Sequence, residues 1–223
     1  RRQRQMCIRD SGYTVKSKIL YASDFGVPQR RNRLFIVGNR NGIDFEFPKE
    51  FDYSVSVDEA ISDLPVLGNG EIQMKGEYTV PFEQASPYAQ LMRKKSKAPT
   101  QNIVSRNKDY VVERYKYIGQ GENWSSIPDR LMENYADKKR CHSGIYKRLI
   151  GGKPSVVISN YRKSMLIHPH QDRGLSVREA ARLQSFPDHF IFEGPVSYVQ
   201  QQIGNAVPPL LAKAVMKKIL TYK

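Results

Sequence analysis

Gln29, Arg30, Arg31, Asn32 and Arg33 follow one another directly after the turn-rich stretch Ser23-Asp24-Phe25-Gly26-Val27-Pro28. In extended backbone alternate side chains share a face, so Gln29, Arg31 and Arg33 are expected to project together. Two guanidiniums and an amide on one face suit a phosphate group or the edge of a base. The plain alternative is a solvated basic turn. A second corner, Gly204-Asn205-Ala206-Val207-Pro208-Pro209, precedes a helical pattern through Leu210, Leu211, Ala214, Val215 and Ile219. Proline fits the first turn of a helix, so free amides and the positive end of the helix dipole are expected near Asn205. Such a corner would bind a polar ligand.

Charge supplies the third candidate. The chain carries 36 basic and 22 acidic residues, a net +14, and the excess is uneven. Residues 1–92 balance at 12 of each sign, whereas residues 93–163 hold 17 basic and 6 acidic side chains. A local surplus of this kind is the footprint of a nucleic-acid-binding face, with a solvated charged surface as the alternative. Arg93, Lys94, Lys95, Lys97, Lys138, Lys139 and Arg140 are its candidate contacts. Tyr110, Tyr115, Tyr117 and Trp124 alternate with Arg106, Lys108, Arg114 and Lys116, which suits nucleic acid, although most of these rings are expected in the core. No metal site is expected: His168-Pro169-His170 lacks cysteine or carboxylate partners at ligand spacing. His142 and His189 read as loop or core polar residues. Cys7 and Cys141 form no framework and have no CxxC spacing, which suits a reducing cytosol.

The elements that must position these groups are short. Thr14–Ala22 reads as a strand, and Arg33–Gly38 as a second, nearly continuous apolar strand of the buried kind. With about ten residues between them they make an antiparallel pair at a sheet edge. The several βα units of a complete parallel sheet are missing from the pattern. Ser56–Leu64 is a helix with serine as its cap, closed by Pro65. From 66 to 103, Gly68, Gly70, Gly76, Pro81, Pro87 and Pro99 break any long element, leaving strands or loops near 78–82 and a helix near 88–95. Ser176-Val177-Arg178-Glu179 fits a capping box, and Phe186-Pro187 ends that helix after about two turns. After Phe186-Pro187 a loop is expected, leading to Gly204-Asn205-Ala206 and then the second helical pattern. There is no apolar run of membrane-spanning length and no signal-peptide pattern, so no membrane partner is expected.

Three of these segments resemble a known family. Arg178–Asp188 (REAARLQSFPD) and the following QxxGNAVPP resemble the last two motifs of the DNA cytosine-5 methyltransferases. DFGVPQRRNRLFIVG resembles the family's QxRxR motif with its flanking strands. The resemblance implies that Arg33, and with it Arg31, reaches the catalytic pocket beside a cytosine flipped out of duplex DNA. There a guanidinium would stabilise charge developing on the ring as a thiolate adds to it. It assigns Gln29 to support of that loop. Asn205, Ala206 and Val207 would line the S-adenosylmethionine pocket, and Arg178, Glu179 and Arg182 would play an architectural part, with Arg178 tying the short helix to the recognition region. His142–Leu149 and Lys153–Ile158 resemble a recurring segment of the family's target-recognition region. Val157 stands roughly where many members have threonine.

What the family also has, and this sequence does not, is a Pro-Cys dipeptide, a Glu-Asn-Val segment and a glycine-rich cofactor turn. Cys7 lies between Met6 and Ile8, and Cys141 between Arg140 and His142. The resemblance therefore implies an α/β fold: the C-terminal part of an S-adenosylmethionine-dependent, Rossmann-like methyltransferase domain, plus a small mixed target-recognition domain. Edge strands are expected at 1–48, target recognition at 49–174, and at 175–223 a hinge helix, the GNAVPP motif and a helix returning to the catalytic domain. The expected partners are duplex DNA with a flipped cytosine and an N-terminal half or subunit carrying the Pro-Cys and Glu-Asn-Val motifs. Alone the chain is expected to be inactive; joined to that half it would methylate cytosine in a specific sequence, as in a restriction-modification system. A cytoplasmic, nucleoid-associated location follows from that setting. A natural split subunit and a fragment of a longer chain fit equally, and a catalytically silent DNA-binding specificity module or part of an RNA cytosine methyltransferase are the other readings.

Overall fold

Residues 14–21 and 32–39 alternate side chains that can and cannot be buried, and they pair. In the computed structural model, which describes residues 11–133, 144–158 and 166–222, Thr14–Tyr21 (β1) and Asn32–Asn39 (β2) form an antiparallel two-stranded sheet. Between them a short 3-10 turn at Ala22–Phe25 ends on Gly26, whose φ of 73° is the left-handed conformation that glycine takes without a Cβ penalty. Among the described residues only one face of this sheet is covered. Leu20 and Phe35 pack with Ala22, Phe25 and Val27 against Leu211 and Val215 of the C-terminal helix. The second strand is therefore not fully buried, contrary to the expectation from its composition: Leu34 and Ile36 alternate outward at 39% and 42% exposure, beside Ile19 and Tyr21.

The largest core forms around short, well-capped helices. Ser56 accepts a hydrogen bond from the Glu59 amide while Glu59 returns to the Ser56 amide, a complete capping box that starts Val57–Ile61 (α1). Ser86 caps Pro87–Arg93 (α2) in the same way, without the returning carboxylate. Two strands hidden in the glycine- and proline-broken sequence, Ile72–Lys75 (β3) and Thr100–Ile103 (β4), pair antiparallel, whereas residues 78–82 form no strand. Asp109–Tyr115 (α3) packs Val111 and Tyr115 with Ile118, Ile127, Met132, Tyr146 and Ile167 into a separate small cluster. Lys147–Arg148 (β5) and Leu166–Ile167 (β6) form a short parallel ladder beside it.

The remaining helices close the structure. Val177–Leu183 (α4) is buried along its whole length and starts at a second complete capping box, Ser176 with Glu179. Val196–Asn205 (α5) follows, then Pro209–Leu220 (α6). α4 and α5 pack with α1 and α2 in the main core, whereas α6 packs mainly on the β1–β2 hairpin. The chain thus crosses from one core to the other between Asn205 and Pro209. None of the described helices is long and apolar enough to cross a membrane.

Candidate functional site

The crossing point is where the sequence candidates meet. Gln29 is fully buried, and its Nε2 donates to the Leu183 carbonyl at 3.2 Å and to Oε1 of Gln184 at 2.8 Å. Its Oε1 accepts from the Ile158 amide at 3.0 Å. The amide of Gln184 in turn donates to the Ile203 carbonyl at 2.6 Å. One pair of glutamines therefore joins four segments, at 29, 158, 183–184 and 203, without a charge. Gln29 thus ties its loop to residues 158 and 183–184 and does not face an open pocket.

The two arginines part company. Arg31 is 3% exposed and donates to the Ile158 carbonyl at 3.1 Å and to the Gly204 carbonyl at 2.6 Å. It is committed to backbone and turned away from solvent, so the projection of Arg31 and Arg33 into one pocket does not hold: Arg31 precedes β2 and its side chain runs inward. Arg33 lies within β2 and is half-buried. Its guanidinium donates to the Asn32 carbonyl at 3.0 Å and reaches the Ala206 carbonyl at 3.4 Å. Burial lowers its pKa from the ordinary value, yet an arginine remains protonated in water. With five N–H donors in all, Arg33 keeps donors for a ligand.

The corner itself differs from its sequence reading. The stretch before it, expected as loop, forms helix α5, which Gly204 and Asn205 end and Ala206 closes with its amide on the Gln202 carbonyl. Pro208 and Pro209 have no N–H, and the next amide, Leu210, already donates to Oγ of Ser185 at 3.1 Å. Of the amides expected to be free at the start of α6, that of Leu210 is therefore already engaged. What the corner presents is the carbonyl end of α5, and Arg31 and Arg33 sit there as cations at the negative end of a helix. Asn205 and Val207 are exposed and Ala206 half-buried, so the corner is open.

The architectural residues are among the most deeply buried charges in the protein. Arg182 is 0% exposed and holds Asp188 through Nε and Nη2 at 2.6 and 2.7 Å, and Asp63 through Nη1 at 2.9 Å. Burial opposes ionisation of Asp188, but Arg182 outweighs it and keeps that carboxyl below the usual range. Tyr78 donates to the same carboxylate at 2.6 Å. Arg178 donates to the Thr100 carbonyl at 2.8 Å and to the Phe190 carbonyl at 2.9 Å, tying α4 to β4. Glu179 receives Arg173 in a bidentate pair at 2.9 and 2.7 Å; burial would raise its pKa, and Arg173 brings it down to about 2. Sequence reasoning misses Asp63, Arg173 and Asp188. Asp63 lies 119 positions from Arg182, and Arg173 and Asp188 each lie six from their partners, beyond the one-turn spacing that marks a pair along a helix.

The basic candidates also divide. Arg93 is 7% exposed, donates to Asp63 and the Val80 carbonyl, and lies 3.8 Å over the Tyr78 ring. It is a core tie and not a DNA contact, because its charge is spent on Asp63 and the ring. Lys94, Lys95 and Lys97 are exposed, with Lys97 on the lining of an open groove of about 1090 Å³ beside Lys75 and Tyr78. Lys138, Lys139 and Arg140, with Cys7, Cys141 and His142, lie outside the described residues. Tyr115 is core at 0% exposure, while Tyr110 is 47% exposed and its ring lies 4.9 Å from the Arg114 guanidinium. His168 is buried, and burial lowers its pKa to about 4; its Nδ1 accepts from the His170 amide, leaving the proton on Nε2, 3.7 Å from Glu179. Among the described residues no cluster of three or more His, Cys, Asp or Glu could hold a metal ion.

The family model described as C-5 cytosine-specific DNA methylase matches residues 6–221. Type II methyltransferase M1.HphI of Haemophilus parahaemolyticus is 35% identical over 94% of the chain, and the chain covers 48% of it. Type II methyltransferase M.DdeI of Desulfomicrobium norvegicum is 34% identical over 95% of the chain, which covers 55% of it. The chain spans about half the length of these curated relatives. A candidate DNA modification methyltransferase encoded within an E. coli prophage superposes with a TM-score of 0.69 at 22% identity, over 99% of this chain and 64% of its own. That likeness is one of fold.

Proposed function

The chain belongs to the C-5 cytosine-specific DNA methylase family, and we propose that it is the C-terminal, target-recognition portion of a DNA cytosine-5 methyltransferase of the restriction-modification type. The observation that carries this reading is the convergence of the QxRxR loop and the GNAV corner through Gln29, Gln184 and Arg31, with Arg33 and Asn205 left open on one side. On this reading residues 1–48 belong to the catalytic domain, residues 49–174 to target recognition, and residues 175–223 supply the hinge helix α4, the GNAVPP motif and the helix that returns to the catalytic domain. The shared core of β1–β2 and α6, and the packing of α4 and α5 on the recognition core, support that division. The uncovered apolar face of β1–β2 suits a chain completed by an N-terminal half.

The roles follow from chemistry. Arg33 would donate to the carbonyl of the flipped cytosine, a bond that strengthens as the ring becomes anionic. Arg31 and Gln29 would hold that loop against the end of α5 without touching the base. Asn205, Ala206 and Val207 fit one wall of the cofactor pocket, because Asn205 and Val207 are the exposed residues of the corner and Ala206 is half-buried between them. Bound S-adenosylmethionine would supply the electrophilic methyl group. The cysteine that attacks the base would come from the N-terminal half, since neither Cys7 nor Cys141 follows proline. Lys94, Lys95 and Lys97 would contact DNA phosphates, which carry affinity but no sequence information.

Reconstitution tests the reading. The chain alone should transfer no methyl group from S-adenosylmethionine to DNA, and adding an N-terminal half bearing the Pro-Cys and Glu-Asn-Val motifs should restore transfer to cytosine carbon 5. A folded mixture that binds DNA and stays inactive would refute it.

A further inference from the structure

We propose that Gln184 and Ser185, the two residues that end α4, are positioning residues that clamp the Asn205 corner from the recognition side. The proposal rests on the cofactor reading of that corner given above. Gln184 is fully buried and donates to the Ile203 carbonyl at 2.6 Å, just before the corner. Ser185 is 1% exposed, and its Oγ accepts from the Leu210 amide at 3.1 Å, just after the corner. Adjacent side chains therefore grip the chain on both sides of Gly204–Pro209.

The second contact stands in for a missing cap. Helix α6 begins at Pro209 with Pro208 as its N-cap, and neither supplies a side-chain acceptor. Pro208 and Pro209 have no N–H, so Leu210 bears the first donor of the helix. A hydroxyl from a residue 25 positions away takes it, the role a serine N-cap plays within its own chain segment. Ser185 reaches that position in the left-handed conformation, φ 65°, which L residues rarely adopt and which persists only where the surroundings hold it. The clamp is also anchored at its other end. Arg178 and Arg182 fix α4 to Thr100, Ala60 and Asp63, all within the recognition segment. The carbonyls of Gly204 and Ala206 take Arg31 and Arg33 from the catalytic side. The corner is thus held between the two parts, with Gln184 and Ser185 as the recognition part's grip.

Ser185→Gly separates the hydroxyl from the backbone, since glycine keeps the positive φ and loses only Oγ. Backbone amide exchange followed by NMR on the full chain should show Leu210 protection falling about tenfold, the ratio that one hydrogen bond's net worth corresponds to. Protection within β1–β2 should stay unchanged. Ser185→Asn, which tolerates positive φ and carries a side-chain acceptor, should restore most of the Leu210 protection. Gln184→Met, similar in volume but without the amide, should loosen the Ala206 amide at the end of α5. In the complex with the N-terminal half, both Ser185→Gly and Gln184→Met should weaken S-adenosylhomocysteine binding severalfold while DNA affinity stays within about twofold, effects expected of lost preorganisation. Unchanged Leu210 exchange in Ser185→Gly, or unchanged S-adenosylhomocysteine affinity in both variants, overturns the proposal. A wild-type complex that binds no S-adenosylhomocysteine would instead sink the cofactor reading, and the exchange comparison would still decide the clamp.

Discussion

Replacing Arg182 with methionine removes the one cation shared by two buried carboxylates. Methionine matches much of the arginine stem, so packing loss is small and the change isolates the charge. Asp188 would keep the Tyr78 hydroxyl, and Asp63 the Arg93 guanidinium at 3.3 Å. Neither replacement equals the bidentate grip of Arg182 on Asp188 at 2.6 and 2.7 Å. Breaking a buried pair by removing one partner costs about 3–5 kcal/mol, because the charge left behind stays out of water. Two carboxylates share the loss here, but both retain a donor, which places the expected cost near the lower end, about 3 kcal/mol. Against a total stability of about 5–15 kcal/mol this is a large fraction. Urea unfolding followed by tryptophan fluorescence should therefore show the midpoint falling steeply with an unchanged slope. Adding Asp188→Asn should recover part of the loss, since the neutral amide no longer demands a cation. A loss below about 1 kcal/mol, or no recovery in the double variant, would refute the view that this network holds α4 in place.

Further outcomes follow from the same geometry. Arg31→Ala should cost about 1–3 kcal/mol by stranding the Ile158 and Gly204 carbonyls, whereas Arg33→Ala should leave the urea midpoint nearly unmoved. His168 has its folded pKa depressed to about 4 against an ordinary 6.5, so the unfolded chain binds the proton first as pH falls. Stability from this group is complete above pH 6.5 and declines progressively down to about pH 4; His168→Gln should flatten that stretch of a stability–pH curve. DNA binding should weaken steeply with salt through counterion release. Lys94→Glu with Lys95→Glu should weaken it for all sequences alike and lower the salt slope by roughly one for each phosphate left without its lysine. A fluorescence-anisotropy titration across salt concentrations reads both. Gly70→Ala should destabilise the chain in thermal melts, because φ is 78° and a Cβ there would lie 2.8 Å from Cβ of Arg106.

Much of the local structure is legible in the sequence because its causes are local. The capping boxes at Ser56 and Ser176 each need only two side chains within one turn, so their spacing in sequence is the interaction itself. The β1–β2 pair is legible from two apolar runs across a turn, but its uncovered face is not, since composition does not say what covers a strand. The inward course of Gln29 and Arg31 is not legible from their alternation. For Arg31 the reason is plain. Its side chain ends on a carbonyl 173 positions away, and an arginine bound for a core looks like one bound for a ligand. The same ambiguity hides Arg93 inside a basic run. Helix α5 lies where a loop is expected from the sequence; it ends on the weak helix formers Gly204 and Asn205, where Arg31 and Gln184 hold the carbonyls.

Single-turnover methyl transfer by the Arg33→Ala variant, reconstituted with the N-terminal half at saturating DNA, tests the central assignment most directly. Losing one preorganised donor to a developing negative charge should slow the step about 100- to 1,000-fold, while the DNA dissociation constant changes little. A variant with a near-normal rate and impaired DNA binding would show Arg33 to be a phosphate contact, and the assignment of this corner to the flipped base would be wrong.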